Sequence, residues 1–362
     1  MEFQSVVRGE ASQYYAEIGA VNKLEEKVTL FKTPIIITGE KSYQAFLDVR
    51  EKEPEFPVLR YDRTASHENM DLLASQAKEL GADLLIGIGG GKVLDTTKGT
   101  AERLNVDFVL IPTVAGTCAC ATPVAAVYNP DHSFKCVDYY QRSGFLTLVD
   151  YDLLVKSPRE YLIGGICDTL AKWYESEIIN RQKDKQELPA MVQLGLAAAK
   201  VSIDVLLKDT KASLQSHSKE EVTPAFERVV DTVFAVSAYV GCLACEAGRM
   251  AGAHAIHNGL TQYSETNTIQ HGVKVAYGIL VQLCATNDID EVKKLVPFYQ
   301  ENGFIYSWDQ LHITSASFEE AAHKVAKFAA SDRETFNLAV KNVTTEEVYQ
   351  AMVTLEDTIN SL

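Results

Sequence analysis

The feature that most constrains the fold is an apolar run, three glycines and a helical pattern between Leu84 and Lys98. Glycines let a backbone come close to a ligand, and a helix N-terminus offers free N–H groups and positive charge. We therefore interpret Gly89, Gly90 and Gly91 as a loop that binds a pyrophosphate. It is neither the G-x-G-x-x-G fingerprint nor a P-loop, and the alternative is a plain glycine-rich turn.

Around this loop, apolar runs and helical patterns alternate in the first part of the chain. The predicted strands are Ile35–Thr38, Phe56–Leu59, Asp83–Ile88 and Phe108–Ile111. Pro57 confines the second of them to a sheet edge or a strand start. A helix is predicted between Glu68 and Leu80, with its apolar face made of Leu72, Leu73, Ala77 and Leu80. This alternation predicts an α/β, Rossmann-like parallel sheet with helices on both faces.

After Pro158 the pattern becomes helical. Helical spacing covers Ala190–Leu207, Phe226–Met250 and Thr345–Leu362, and we interpret Ser213–Glu221 as a polar loop. We therefore expect two domains, an α/β dinucleotide-binding domain over residues 1–157 and an all-α metal-binding domain over residues 158–362.

Composition excludes several classes of partner. The net charge of −15 argues against a nucleic-acid partner, because phosphate binding needs clustered Lys and Arg. The N-terminus lacks a signal-peptide pattern, and we find no uninterrupted apolar run that would span a bilayer. The seven cysteines show neither zinc-finger spacing nor a compact disulfide framework. We expect a cytoplasmic protein without a membrane partner.

Three residues are candidate metal ligands: Asp168, His254 and His271. Asp168 lies in an apolar, small-residue run, and His254 is flanked by Ala and Ile. Buried charges tend to be paired or to bind metals. One carboxylate and two imidazoles leave an open position on Zn²⁺ or Fe²⁺, which favours catalysis over a structural role. The alternative for each histidine is an ordinary core or surface position.

Four motifs occur in a fixed order: Gly89–Asp95, Pro112–Thr117, Gly165–Asp168, and the pair His254 and His271. This order resembles the iron-containing alcohol dehydrogenase superfamily, within it the glycerol dehydrogenase branch, and most closely its hydroxycarboxylate dehydrogenases. The resemblance implies a Rossmann-like N-terminal domain, a helical C-terminal domain and a cleft between them. It also implies a metal-dependent oxidoreductase that uses NAD or NADP on a small-molecule substrate, and we expect a homo-oligomer.

The resemblance assigns roles to individual residues. Asp168, His254 and His271 match the family's metal ligands, and His257 matches a histidine close to the nicotinamide that could relay a proton. Residues assigned to the nucleotide site are Gly39, Gly89, Gly90, Gly91, Lys92, Asp95, Thr113, Thr117, Thr122, Val124 and Tyr128.

Two departures from the family bear on metal and substrate. Lys172 stands where larger members have a fourth ligand, a histidine, which favours a three-ligand zinc site. Cys118 stands where glycerol dehydrogenases use an aspartate to hold substrate hydroxyls, and a thiol hydrogen-bonds only weakly. Lys172 lies one helical turn after Asp168, so it is a candidate partner for a substrate carboxylate. We expect reduction of 2-oxo acids to 2-hydroxy acids; the alternatives are glycerol oxidation and a Lys172–Glu175 pair.

The cofactor and the reaction class have further alternatives. Gly39 occupies the position of the carboxylate that usually favours NAD, and nearby Lys41 favours NADP, whereas an inward-pointing Glu40 would restore NAD preference. We expect NADP(H) to be at least tolerated. A dehydroquinate synthase-like lyase shares the architecture, but its sequence run after Pro112-Thr113 is absent. A non-catalytic binding protein is the third possibility.

Overall fold

Six parallel strands form the sheet of the N-terminal region. The structure is a computed structural model that describes residue 9 and residues 11–181 and 183–362. The strands of the sheet are β1 (Tyr14–Glu17), β2 (Pro34–Thr38), β3 (Val58–Arg60), β4 (Leu84–Gly89), β5 (Asp107–Pro112) and β8 (Leu146–Asp150). Two further strands, β6 (Val124–Tyr128) and β7 (Phe134–Tyr139), pair as an antiparallel hairpin.

The strand order in the sheet is β1-β8-β5-β4-β2-β3. Strand β3 lies at the edge beside β2, and the chain then crosses back to place β4 on the other side of β2. The order therefore reverses between β2 and β4. Open α/β sheets bind ligands at such a reversal, beyond the carboxyl ends of the strands.

Helices pack against both faces of the sheet, as the alternating pattern predicts. The helices of this region are α1 (Leu24–Lys27), α2 (Glu40–Leu47), α3 (His67–Glu79), α4 (Gly91–Leu104) and α5 (Tyr151–Val155). Successive strand residues belong to different cores, with Ile36 and Ile86 in one cluster and Ile35 and Leu85 in the other. Because side chains alternate across a strand, this division shows that both sheet faces are covered.

The C-terminal region is helical. Its helices are α6 (Arg159–Asn180), α7 (Ala190–Ser218), α8 (Pro224–Asp231), α9 (Ser237–Ala244), α10 (Gly252–Leu260), α11 (His271–Ala285), α12 (Ile289–Asn302), α13 (Phe318–Ala329), α14 (Phe336–Ala339) and α15 (Thr345–Asn360). A π-helical segment, Thr232–Val236, joins α8 to α9. The predicted fold class, a parallel sheet followed by a helical region, is confirmed.

Two local predictions are wrong. The segment predicted as a polar loop is helical as far as Ser218, because the buried His217 ring hydrogen-bonds Ser157 O at 2.8 Å and holds this end of α7 in the core. Leu72 on α3 and Leu80, the residue after its last turn, are exposed, whereas Met70, Leu73, Ala74 and Ala77 are buried. The buried face of α3 is therefore rotated from the predicted one, and it includes small residues.

Two helical stretches, Ala190–Ser218 and Pro224–Gly248, are long and apolar enough to cross a membrane by length and composition alone. Within the structure, 33% and 67% of their most apolar windows are buried. A core helix of a globular protein meets the same criterion, so this finding is weak support for a membrane span.

Candidate metal and nucleotide site

Three helices bring the predicted metal ligands together. Asp168 lies in the middle of α6, His254 in the first turn of α10, and His271 is the first residue of α11. Asp168 Oδ1 lies 3.4 Å from His254 Nε2 and 3.3 Å from His271 Nε2. One ligand atom from each residue lies within 4.8 Å of the others. Residues that are distant in sequence thus converge on one point.

This convergence depends on very close helix packing. A Cβ atom on Gly272 of α11 would lie 1.9 Å from Gly164 O of α6, and one on Gly278 would lie 2.3 Å from Ala253 O of α10. Only glycine permits such backbone contact. The two glycines therefore set α11 against both helices that carry the other ligands.

The donor set fits a divalent cation. Asp168 Oδ1 is buried and has no hydrogen-bond partner among the described residues, an arrangement that normally costs stability. Two ligands at about 2.0–2.2 Å from a tetrahedral ion stand roughly 3.3–3.6 Å apart. The two Asp168–histidine separations, 3.4 and 3.3 Å, fall in this range. A cation bound between the three side chains would satisfy the buried oxygen.

A fourth residue, Glu175, orients His254. Glu175 is fully buried, and its carboxylate accepts the backbone N–H groups of Ala251 (2.7 Å) and His254 (3.0 Å). Its second oxygen lies 2.7 Å from His254 Nδ1. When Nδ1 donates to this carboxylate, Nε2 keeps its lone pair for a metal. Burial lowers the pKa of His254, but Glu175 and Asp168 outweigh burial and raise it to about 9, so a cation competes with a proton here.

Sequence analysis gave Glu175 no role in the metal site. The available signal was its spacing, seven residues or two helical turns after Asp168, which places both side chains on one face of α6.

His257 forms part of a chain of hydrogen bonds. Its Nε2 lies 3.0 Å from His271 Nδ1, and its Nδ1 lies 2.9 Å from Asn258 Oδ1. Asn258 in turn donates to Glu334 at 3.0 Å. Burial, followed by the nearby His271 and Lys274, holds the pKa of His257 well below its usual value. The Nε2 atom of a neutral His257 accepts a hydrogen bond from His271 Nδ1–H, which leaves His271 Nε2 free to bind a metal.

Lys172 and Cys118 lie beside the metal ligands. Burial lowers the pKa of Lys172, but Asp168, Cys118 and Glu175 raise it more, so the ammonium stays charged. Among the described residues, the Lys172 ammonium takes part in no ion pair within 4.0 Å, so the alternative of a Lys172–Glu175 pair is not what the structure has. Cys118, a free and partly exposed thiol, begins a 3₁₀ turn, Cys118–Ala121.

The three-glycine loop leads into helix α4 at the carboxyl end of β4. No side chain caps α4, since its N-cap is Gly90, so the first N–H groups of the helix lack the usual side-chain acceptor. A Cβ on Gly91 would meet nothing closer than Thr117 Oγ1 at 3.6 Å, whereas one on Gly89 would lie 2.6 Å from Val93. Gly89 therefore serves helix–strand packing, a Cβ on Gly90 would lie 3.2 Å from Val114, and Gly91 presents the most open backbone of the three.

The end of β2 lies next to the end of β4, at the reversal of strand order. Thr38 Oγ1 donates to Ile88 O at 2.7 Å, which joins the two strand ends. Gly39 follows Thr38, and its carbonyl accepts a hydrogen bond from Arg60 at 2.8 Å. Glu40 is exposed and pairs with Arg63 at 3.3 Å. Sequence analysis did not identify these two arginines, because only strand pairing brings β3 beside Gly39.

Lys98 holds the loop that follows β5. This fully buried lysine donates to Ala119 O (2.9 Å) and Thr122 O (3.1 Å) and also binds Val124 O. It pairs with Asp95 at 2.8 Å, and the Asp95 carboxylate also accepts Ala126 N at 3.0 Å. Asp95, predicted at the nucleotide site, is thus occupied in tying α4 to β6. Lys98 itself carried no predicted role.

The remaining residues assigned to the nucleotide site lie along the same loop and hairpin. Thr113 N donates to Gly89 O at 3.1 Å, and the Thr117 hydroxyl accepts from Ala119 N at 3.4 Å. Val124 begins β6 and Tyr128 ends it, with the Lys92 ammonium 5.2 Å from the centre of the Tyr128 ring.

The loop and the metal helix are in direct contact. A Cβ on Gly165 of α6 would lie 2.1 Å from Ala115 O, so the backbone of the Thr113–Thr117 segment rests on α6 one turn before Asp168. The candidate nucleotide and metal residues are therefore neighbours in space. A ligand on the loop would lie beside the candidate metal centre.

Comparisons with known proteins agree with this arrangement. The family model described as iron-containing alcohol dehydrogenase matches residues 11–149. Hydroxycarboxylate dehydrogenase A of Escherichia coli K12 is 35% identical over 299 residues, 82% of either chain, and glycerol dehydrogenase of Thermotoga maritima is 30% identical over 94% of either chain. The structure of a probable glycerol dehydrogenase from Sinorhizobium meliloti superposes with a TM-score of 0.85, at 25% identity, over 98% of this chain and 99% of its own. The chain therefore belongs to the iron-containing alcohol dehydrogenase family and is a dehydrogenase of alcohols or hydroxy acids.

Proposed function

We propose that this enzyme reduces 2-oxo acids to 2-hydroxy acids, with Asp168, His254 and His271 holding a divalent metal, zinc rather than iron. The observation that carries the proposal is the charged Lys172, which lies beside Asp168 and Cys118 and takes part in no ion pair within the described structure. A cation at the rim of a metal site is a natural partner for a substrate carboxylate.

A second cation supports the same substrate class. The charge of Arg249 acts on Lys172, so the two cations are neighbours. The Arg249 guanidinium lies 4.9 Å from the centre of the Tyr139 ring, and its Nε donates to Gly241 O at 3.2 Å; among the described residues its other N–H groups have no hydrogen-bond acceptor. Cys118 stands where an aspartate would add a carboxylate charge, so an anionic substrate meets two cations near Asp168.

The remaining residues position the reacting groups. When bound, a divalent cation would polarise the substrate carbonyl, and a nicotinamide would carry the hydride. Lys172 binds the carboxylate and so orients the carbonyl carbon. Glu175 and His257 fix the tautomers of His254 and His271. His257 remains a candidate proton relay, but both of its ring nitrogens already have partners within the protein, which favours a positioning role.

We further propose that NADPH is accepted along with NADH. Gly39 supplies no carboxylate at the end of β2, and the exposed Glu40 is neutralised by Arg63. Arg60 lies at the same place, with its guanidinium against Gly39 O. Arg60, Arg63 and Lys41 together favour a 2′-phosphate on the adenosine ribose.

The decisive experiment replaces Lys172 with alanine. We expect Lys172→Ala to raise KM for 2-oxo acids about tenfold or more, the scale of a charge-assisted hydrogen bond, while KM for uncharged aldehydes and ketones stays nearly constant. The control is Lys200→Ala, because Lys200 is an exposed lysine that pairs with Asp204 on α7. Equal effects on both substrate types would remove Lys172 from the substrate site.

Glycerol oxidation is the second candidate function, favoured by the similarity to a glycerol dehydrogenase over nearly the whole chain. Efficient glycerol oxidation by the unaltered enzyme, with weak activity on 2-oxo acids, would establish it instead. Cys118→Asp tests the same choice from the opposite direction, since an aspartate should favour polyols and repel 2-oxo acids. Cytoplasmic location remains our expectation, and among the described residues no two cysteines form a disulfide, a pattern typical of a reducing compartment.

A further inference from the structure

A second cluster of metal-ligating side chains shares no residue with the candidate metal centre. It joins the start of α3 to strand β7 and consists of His67, Cys136 and Asp138. His67 Nε2 lies 2.8 Å from Asp138 Oδ2, and Cys136 Sγ lies 3.6 Å from Asp138 Oδ1. One ligand atom from each residue lies within 4.8 Å of the others.

The fold builds this cluster from two elements. Cys136 and Asp138 are two residues apart on β7, so both side chains leave the same face of the hairpin. His67 is the first residue of α3, after the N-cap Ser66, and its ring reaches that face. Tyr139, on the opposite face of β7, lies against Arg249 of the helical region.

We propose that His67, Cys136 and Asp138 form a second site for one divalent cation of the zinc class. An imidazole nitrogen, a thiolate sulfur and a carboxylate oxygen are the donors that zinc prefers, whereas magnesium and calcium require oxygen ligands. Binding would release the thiol proton of Cys136 to solvent, and the resulting thiolate and carboxylate would balance the charge of the cation.

The geometry allows an ion to enter. The side chains of His67 and Asp138 are 29% and 26% exposed, so the cluster is reached from solvent and a water can complete the coordination. The 2.8 Å contact between His67 and Asp138 would have to open to roughly 3.3 Å, the edge of a tetrahedral zinc site.

An ion in this site would link the β6–β7 hairpin to the start of helix α3. The same hairpin carries Val124 and Tyr128, two of the residues assigned to the nucleotide site. Three protein ligands leave a position for water, but the site lies on the hairpin and shares no residue with the proposed metal centre, so its role would be to position the hairpin that borders the candidate nucleotide loop.

The test titrates Co²⁺ or Zn²⁺ alone into the metal-free full-length protein. We expect two equivalents to bind to the unaltered chain, one to Asp168→Ala and one to Cys136→Ser. With Co²⁺, a thiolate-to-cobalt charge-transfer band should appear in the unaltered chain and in Asp168→Ala, and should be lost in Cys136→Ser. Cys118→Ser is the matched control, because it removes the other partly exposed thiol near the cleft and should keep the band.

The proposal fails if Asp168→Ala binds no cation, or if the band persists in Cys136→Ser and disappears in Cys118→Ser. Should Cys136→Ser fold poorly by circular dichroism, His67→Gln provides the second variant, with loss of one equivalent expected by elemental analysis. Because the two sites are counted separately, failure of this site leaves the proposed function intact, and failure of the Asp168 site leaves this one.

Discussion

At the scale of single residues, Glu175 decides which nitrogen of His254 is free to bind a cation. In Glu175→Gln the amide oxygen can still accept the N–H groups of Ala251 and His254, but the amide NH₂ then faces His254 Nδ1–H. Two donors cannot pair, so His254 is driven to the tautomer that carries its proton on Nε2. We expect metal affinity to fall about 10–100-fold, measured by competition with a chelator.

Glu177→Gln is the control for this variant, since Glu177 lies two residues further along α6 and pairs with Arg181. Its metal affinity should match that of the unaltered chain. If Glu175→Gln bound metal as tightly as Glu177→Gln, the orienting role of Glu175 would be wrong.

Arg60 is the residue through which nucleotide preference can be tested. We expect Arg60→Ala to raise KM for NADPH about tenfold, the value of one hydrogen bond to a charged group, with KM for NADH nearly unchanged. Parallel kinetics with the two cofactors provide the measurement, and NADH serves as the internal control for folding. A strong preference of the unaltered enzyme for NADH, many tens of fold in kcat/KM, would contradict NADP(H) acceptance itself.

At the scale of elements, the contact between α6 and α11 is the most sensitive to added volume. A methyl group on Gly272 would meet Gly164 O at 1.9 Å, which the two backbones can relieve only by moving apart. We expect Gly272→Ala to cost about 3 kcal/mol or more in unfolding free energy and to lower metal content, because Asp168 and His271 would separate. Urea unfolding and elemental analysis measure both effects.

Gly241→Ala is the matched control on α9. A Cβ there would lie 3.8 Å from Arg249 Cγ, an ordinary contact, and alanine favours a helix. This variant should be at least as stable as the unaltered chain; a loss similar to that of Gly272→Ala would show that crowding is not the cause.

Helix α15 carries a carboxylic acid, Glu356, whose ionisation destabilises the folded state. Burial is the main cause that raises the pKa of Glu356 to about 7, despite the hydrogen bond it accepts from Trp308 N at 2.9 Å, and Asp309 and Asp357 add to the shift. Between its unfolded pKa of 4.5 and about 7, the folded state binds more protons than the unfolded state, so stability falls as pH rises.

Glu356→Gln should therefore equal the unaltered chain in stability near pH 5 and exceed it at pH 8. We expect a difference of about 1–2 kcal/mol, a value that allows for solvent screening of a partly exposed group. Thermal unfolding at both pH values checks it, with the exposed Glu346→Gln as the control. If the stability difference between Glu356→Gln and the unaltered chain were the same at pH 5 and at pH 8, the raised pKa of Glu356 would be wrong.

At the scale of the whole molecule, α7 predicts association with a second copy. Met191, Leu194 and Val201 are 42%, 55% and 48% exposed, and with the partly buried Ala198 and Val205 they follow a three-four spacing along one face. Such spacing is typical of a helix that packs against another helix. The most apolar 18-residue window of this helix is only 33% buried here, which fits the same prediction.

Leu194→Glu combined with Val201→Glu should reduce the assembly to smaller species, because two charges would be buried at the contact. Light scattering coupled to gel filtration measures the mass. Leu80→Glu, a change at the exposed leucine that follows α3, should leave the mass unchanged. A monomeric unaltered chain would refute the expected homo-oligomer.

The sequence by itself determined the fold class and the order of the motifs, and it predicted the candidate metal ligands that the structure brings together. Buried parallel strands have continuous apolar sequences, and a glycine loop before a helix is a local sequence pattern. Both can therefore be predicted without knowledge of tertiary contacts. We could identify Asp168, His254 and His271 as candidate metal ligands because polar groups in apolar surroundings need a partner. The division of the chain at residues 157 and 158 remains a prediction from the same patterns.

Only the tertiary structure decided which side chains support the site. Glu175 reaches His254 across 79 residues, and Lys98 reaches the carbonyls of Ala119 and Thr122 across a loop. Strand pairing places Arg60 beside Gly39, and hairpin packing places His67 beside Cys136 and Asp138. The physical reason is that hydrogen bonding and coordination depend on distances of a few ångströms. Periodicity in a sequence specifies the face of an element, but the packing of that face against a distant element sets those distances.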